Sequence, residues 1–88
     1  MTYTVVLTEK AKKQLAKLDK QTAKLIVSWL YKHLQGCTNP RQHGKGLTSN
    51  LSGYWRYRVG DYRLIADIQD NVVTILILEI KHRSEAYK

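Results

Sequence analysis

Acidic residues are scarce in this chain: seven Asp and Glu stand against fifteen Lys and Arg, a formal net charge of +8. In a domain this small such an imbalance projects a field that attracts polyanions, so nucleic acid or an acidic protein is the partner class that composition implies. Cysteine is nearly absent. A lone Cys37 excludes an internal disulfide, and His33, His43 and His82 are too scattered to supply a zinc-ligand spacing, so no structural metal is expected. Long apolar runs are also missing: no stretch approaches the roughly 18 apolar residues of a membrane span, and no membrane association is expected. The first residues, Met-Thr-Tyr-Thr-Val-Val-Leu, have no charged region and no small-residue cleavage site. They do not resemble a signal peptide, and a cytoplasmic location is expected. Phosphate-binding glycine loops, dinucleotide glycine motifs and nucleophile elbows are lacking, so no cofactor is expected. Cys37 has no evident base partner, which makes a thiol nucleophile unexpected.

What is present is enough for one domain spanning residues 1–88. A chain of this length buries only about 60–65% of its unfolded surface, which favours a shallow surface site over an enclosed cavity. Thr2 to Leu7 is a β-branched and aromatic run with Tyr3, Val5 and Leu7 on one face, and is predicted as a strand. Thr8 then caps a helix in which Ala11, Leu15 and Leu18 recur at helical spacing beneath a basic outer face. Asp19 caps a second helix with an apolar stripe of Ala23, Ile26, Val27, Leu30, Tyr31 and Leu34, ending at Gly36. Residues 36–52, rich in Gly, Asn, Ser and Thr, are predicted as a loop. Three strands follow at 54–59, 62–69 and 72–80, with Gly60-Asp61 and Asp70-Asn71 as hairpin turns. The order β-α-α-β-β-β predicts a two-layer α+β domain, with the helix hairpin packed on one face of a mainly antiparallel four-stranded sheet. The other face is left partly open.

Two basic clusters carry the candidate chemistry. Arg56 and Arg58 share one face of a strand by its period of two, and Arg63 lies across a short turn, so the three are expected to converge on the exposed face. Planar guanidinium groups suit phosphate because each donates two parallel hydrogen bonds. The alternative is a solvated strand face whose arginines pair with Asp61 or Asp67. Tyr54, Trp55, Tyr57 and Tyr62 interleave with the arginines; alternation sends Trp55 and Tyr57 beneath the helices, leaving Tyr54 and Tyr62 to stack on bases. The second cluster is the tail Lys81-His82-Arg83-Ser84-Glu85-Ala86-Tyr87. Cutting RNA without a metal requires removing the 2′-hydroxyl proton, stabilising a pentavalent phosphate and protonating the departing 5′-oxygen. Arginines meet the second need, and Lys81, His82 and Tyr87 are the candidates for proton transfer. The alternative is a frayed basic terminus.

The blocks Gly53-Tyr54-Trp55-Arg56-Tyr57-Arg58-Val59-Gly60-Asp61-Tyr62-Arg63-Leu64-Ile65 and Lys81-His82-Arg83-Ser84-Glu85-Ala86-Tyr87, with the β-α-α-β-β-β order, resemble the RelE/ParE superfamily of bacterial toxins, and its RelE branch in particular. The resemblance implies the toxin of a type II toxin–antitoxin pair: an endoribonuclease that cuts mRNA in the A site of the 30S ribosomal subunit, leaving a 2′,3′-cyclic phosphate and a 5′-hydroxyl. It implies a RelB-like antitoxin, acidic where it meets the toxin. Carried over by position, the family's basic strand residues fall on Arg56 and Arg58, its phosphate-binding arginine on Arg63, a second catalytic basic residue on Lys81, its C-terminal tyrosine on Tyr87 and a further basic position on Arg83. The chain departs from the RelE pattern by having arginine at Arg56 and Arg58 in place of lysine, and lysine at Lys81 in place of arginine. Arginine does not readily lose a proton, which moves proton transfer toward Lys81, His82 or Tyr87. The superfamily also contains the ParE branch, which inhibits DNA gyrase without cutting RNA. Gyrase inhibition, and a degenerate toxin that only binds antitoxin, are therefore the alternatives.

Overall fold

Two side-chain caps set where the helices begin. Thr8 Oγ1 accepts a hydrogen bond from the Ala11 N–H at 3.1 Å, and Asp19 Oδ2 accepts one from the Thr22 N–H at 3.1 Å. Each satisfies a backbone donor that the first helical turn leaves without a partner. They open α1 (Glu9–Ala16) and α2 (Lys20–His33), and the rest of the order is β1 (Thr4–Leu7) before them, then β2 (Lys45–Gly46), β3 (Trp55–Val59), β4 (Tyr62–Gln69), β5 (Thr74–His82) and α3 (Arg83–Ala86). The computed structural model describes residues 1–86.

The strands form one sheet in the order β1-β5-β4-β3-β2, with β1 parallel to β5 and every other pair antiparallel. The expected class and layering hold, but the sheet has five strands, not four. The additional one, β2, lies in the segment expected to be a loop and pairs Lys45 with Arg56 and Gly46 with Trp55. Two residues are too few to show a strand period, and the pairing depends on a tertiary fit at Gly44. That residue has φ +79°, and a Cβ there would collide with the Arg56 carbonyl oxygen. Only glycine tolerates both the left-handed backbone and the close approach.

Strand β5 begins later than the sequence predicts and runs two residues further. Asp70–Val72 forms a 3₁₀ turn and Val73 takes a left-handed conformation with φ 49°, so the β4–β5 connection is longer than a two-residue hairpin. At the far end the strand continues through His82, which makes Lys81 and His82 sheet residues.

Between these limits lies a β-bulge. Ile65 pairs with Glu79 but Ala66 pairs with Ile77, so Leu78 is an extra residue on β5. Ile75 and Ile77 point into the core before it, and Ile80 does so after it. The extra residue therefore reverses the alternation, and Glu79 and Lys81 face away from the helices. Helix α1 completes this part of β5, where β1 has already ended. Thr8 Oγ1 donates to the Leu78 carbonyl at 3.0 Å, and Gln14 Oε1 accepts from the Ile80 N–H at 2.6 Å.

The core fills the space between the hairpin and the sheet. Ala11 of α1 and Ile26, Leu30 and Leu34 of α2 pack with Tyr57, Val59, Leu64, Ala66, Ile75, Ile77 and Ile80. Burying each large aliphatic side chain contributes about 1.5–3 kcal/mol. Tyr57 is fully buried, its hydroxyl donating to the Pro40 carbonyl, and half-buried Trp55 donates Nε1–H to the His43 carbonyl. Tyr31 departs from the expected stripe at 69% exposed. Among the described residues no helix is long and apolar enough to cross a membrane.

Asp70 clasps two remote segments: it accepts from the Tyr3 hydroxyl at 2.6 Å and from Arg41 Nη1 and Nη2 at 3.1 and 3.0 Å. The Arg41 hydrogen bonds, then that of Tyr3, hold its carboxyl below the usual carboxylate range. Because the folded value is depressed, the clasp stabilises fully above the unfolded carboxylate range, near pH ~4, and is lost as pH falls through the folded value. Asp70→Asn is expected to melt below wild type at neutral pH, with the gap closing in acid; a gap independent of pH would refute the clasp. Thr8→Ala loses both the cap and the bond to the bulge carbonyl, and should cost about 1–2 kcal/mol in urea denaturation.

Candidate nucleic-acid interface

On the sheet face opposite the helices, strand register assembles a row of cations. Arg58 of β3 pairs with Arg63 of β4, and Arg63 pairs with Lys81 of β5. Residues directly opposite in an antiparallel sheet project to the same side, on strands about 4.8 Å apart, so the three lie side by side across the sheet. The next row contains Lys45, Arg56, Ile65 and Glu79 in the same manner. Ile65 is only 7% exposed yet lies outside the core cluster, in keeping with a position on this second face.

Arg63 is the centre of the first row and is 5% exposed. Its Nη1 donates to the carbonyls of Gly60 and Tyr62, both at 3.3 Å, while its buried Nε has no hydrogen-bond partner. Among the described residues no carboxylate forms an ion pair with Arg56, Arg58 or Arg63. A buried cation without an acid is costly unless an anion completes it. Arg58 is exposed and Arg56 half-buried, so the row has one deep guanidinium flanked by accessible ones.

Lys81 Nζ lies 3.6 Å from Glu79 Oε2, and Lys10 Nζ of α1 lies 2.6 Å from Glu79 Oε1. The hydrogen bond from Lys10, with the charge of Lys81 behind it, holds the Glu79 carboxyl below its usual range. The acid therefore stays ionised beside the cations.

Other predicted site residues stand elsewhere. Tyr62 and His82 are register partners on the helix side of the sheet, in the row of buried Val59, with ring centroids 5.3 Å apart and planes at 85°. His82 Nδ1 accepts from the Ser84 N–H at 3.2 Å and contacts Ser84 Oγ at 2.9 Å. Sheet alternation thus separates His82 from Lys81, its neighbour in sequence. Arg83 opens α3 and is tied to the β3–β4 turn, its N–H donating to the Asp61 carbonyl at 2.7 Å and its Nε 3.9 Å from Asp61 Oδ1. Tyr54 precedes β3, is exposed, and bonds through its backbone to Leu47. Tyr87 lies outside the described residues. Among the described residues no three His, Cys, Asp or Glu side chains are grouped to hold a metal ion.

Sequence reasoning missed Lys45, Glu79 and Lys10. For Glu79 a signal existed: once Lys81 is taken as a strand residue, a partner two positions earlier shares its face. Lys45 and Lys10 reach the area only through tertiary pairing.

Comparisons with known proteins agree with this fold. The sequence profile of the family described as "ParE toxin of type II toxin-antitoxin system, parDE" matches residues 5–87. The chain is 34% identical over 88 residues to Toxin RelG of Mycobacterium tuberculosis, covering all of this chain and 99% of that protein. A chain in the crystal structure of the toxin–antitoxin complex RelBE2 from the same organism superposes with a TM-score of 0.85 at 34% identity, covering 94% of this chain and 100% of that one. The isolated E. coli RelE toxin shares the fold with a TM-score of 0.70 at 18% identity, over 98% of this chain and 96% of that one. A profile match over residues 5–87, together with relatives at 34% identity covering 94% or more of the chain, leads to one assignment: the chain belongs to the ParE toxin family of type II toxin–antitoxin systems, within the RelE/ParE superfamily.

Proposed function

We propose that this single-domain toxin is a ribosome-dependent endoribonuclease that cuts mRNA in the 30S A site without a metal or cofactor, and so inhibits translation in the cytoplasm. The observation that carries the reading is the registered row Arg58–Arg63–Lys81, with a buried, acid-free guanidinium at its centre. In the proposed reaction the ribose 2′-oxygen attacks the adjacent phosphorus and the bond to the 5′-oxygen breaks. A 2′,3′-cyclic phosphate and a 5′-hydroxyl are the products. Arg58 and Arg63 stabilise charge on the pentavalent phosphate, where preorganised donors act most strongly. Lys81, in the same row, gives a proton to the departing 5′-oxygen. Neither arginine can accept the proton leaving the 2′-oxygen, which assigns that step to the tail, with Tyr87 at the family's tyrosine position. Arg56 and Arg83 contact the RNA backbone, and Tyr54 offers an exposed ring for a base.

The partner in this reading is a RelB-like antitoxin, acidic where it meets the toxin. Support comes from the relative solved as a toxin–antitoxin complex and from the surface itself. Val5, Leu7, Leu15, Val27 and Tyr31 line an apolar groove between β1 and the helices, continued past Val27 by Lys20 and Lys24. An amphipathic acidic segment matches an apolar floor with a basic rim.

A second reading, gyrase inhibition, is favoured by the ParE description of the matching family. The named relatives and the basic row favour ribonuclease. Primer extension on translated mRNA after induction is expected to reveal cuts within codons, while gyrase supercoiling with purified protein stays unchanged; the reverse pattern would establish the rival. Arg63→Ala and Lys81→Met are each expected to lower cleavage by about 10²–10³-fold, the usual effect of removing one transition-state donor. Both should relieve growth arrest. Lys81 is partly exposed, so its variant remains informative if loss of buried Arg63 unfolds the chain. Full toxicity in a folded Lys81→Met protein would count against this site.

A further inference from the structure

We propose that Glu79 is a positioning residue that holds the Lys81 ammonium in line with Arg58 and Arg63, itself anchored by Lys10 of α1. The assignment rests on the ribonuclease reading above and names a residue that reading does not use. Lys81 has a flexible four-carbon stem and two cationic neighbours in its row, so repulsion would turn it outward toward water. Glu79 opposes this. It stands two residues before Lys81 on the same strand face, and in the two registered rows it is the only acid among the described residues.

Its two oxygens are divided between two lysines, Oε1 with Lys10 and Oε2 with Lys81. The shorter contact is to Lys10, on a helix fixed to β5 by the Thr8 and Gln14 hydrogen bonds. The carboxylate therefore cannot follow Lys81 wherever it moves; it defines a place to which Lys81 returns. The bulge at Leu78 is what brings Glu79 onto this face. Two other roles are less consistent with the contacts. A carboxylate held ionised by two ammonium groups is a weak proton acceptor, which argues against a general base. A partly exposed ion pair contributes little to stability, which argues against a purely structural role.

The test uses programmed ribosomes with the purified full chain. Glu79→Gln keeps the shape and removes the charge. Its turnover is expected to fall of order ten- to a hundredfold, the scale of a misplaced reacting group, while KM falls or stays level because the face becomes more positive. Glu79→Asp, which keeps the charge, should recover part of the turnover, and Lys10→Met should cause a smaller loss of the same kind. A lower KM with full turnover would show that Glu79 only repels RNA and would overturn the proposal. Equal losses in Glu79→Gln and Glu79→Asp accompanied by a lowered melting temperature would overturn it in favour of a folding role. Absence of cleavage by the wild-type chain would remove the ribonuclease reading and this assignment with it. Cleavage by wild type alongside an unchanged Glu79→Gln removes this assignment alone.

Discussion

The extra residue in β5 is the constraint on which the rest of the molecule depends. Ile75 and Ile77 face the core, and an uninterrupted strand would send residues 79 and 81 the same way, burying a glutamate and a lysine under the helices. With Leu78 bulged, Ile80 enters the core instead, and Glu79 and Lys81 emerge on the opposite face. One residue thus decides both the packing beneath α1 and the cationic row above it. The bulge is held by the hydrogen bonds from α1 that occupy the edge of β5 beyond Leu7. Helix, bulge and row form one mechanical unit.

The electrostatics of that face follow from the same geometry. A sheet brings side chains on adjacent strands close together, and here register does so for like charges, which oppose one another without a counter-ion. The arrangement persists because the hydrophobic core beneath it is extensive and because Glu79 offsets part of the charge. What remains unbalanced, above all buried Arg63, is available for an anion. The chain's membership of a toxin–antitoxin family is the setting for such a face, and the apolar groove lies apart from it, between β1 and the helices.

The helix starts were legible because their chemistry is local: Thr8 and Asp19 each bond to a backbone N–H three residues on, and nothing distant is needed. The meander of β3, β4 and β5 was legible from alternation and turn residues, and so was the burial of Tyr57 opposite Arg56 and Arg58. Strand β2 was not, because two residues carry no period and its place depends on Gly44 meeting β3. Grouping Arg58 with Arg63 was within reach of sequence, whereas placing Lys81 in register beside them was not, because it depends on the bulge. Separating His82 from them was not legible either, since it looks like a neighbour of Lys81 until the strand is known to run through His82.

The sequence by itself determined the layers, the starts of α1 and α2 and an excess of positive charge concentrated in two blocks, since all of these are set by residue type and short-range spacing. Tertiary structure alone decided which side chain faces which way on β5, that Arg63 is buried, and that a glutamate and a lysine from α1 border the row. The physical reason is that facing on a strand changes with every residue. A single bulge, placed by long-range pairing and by hydrogen bonds from a helix more than sixty residues earlier, overrules any local pattern.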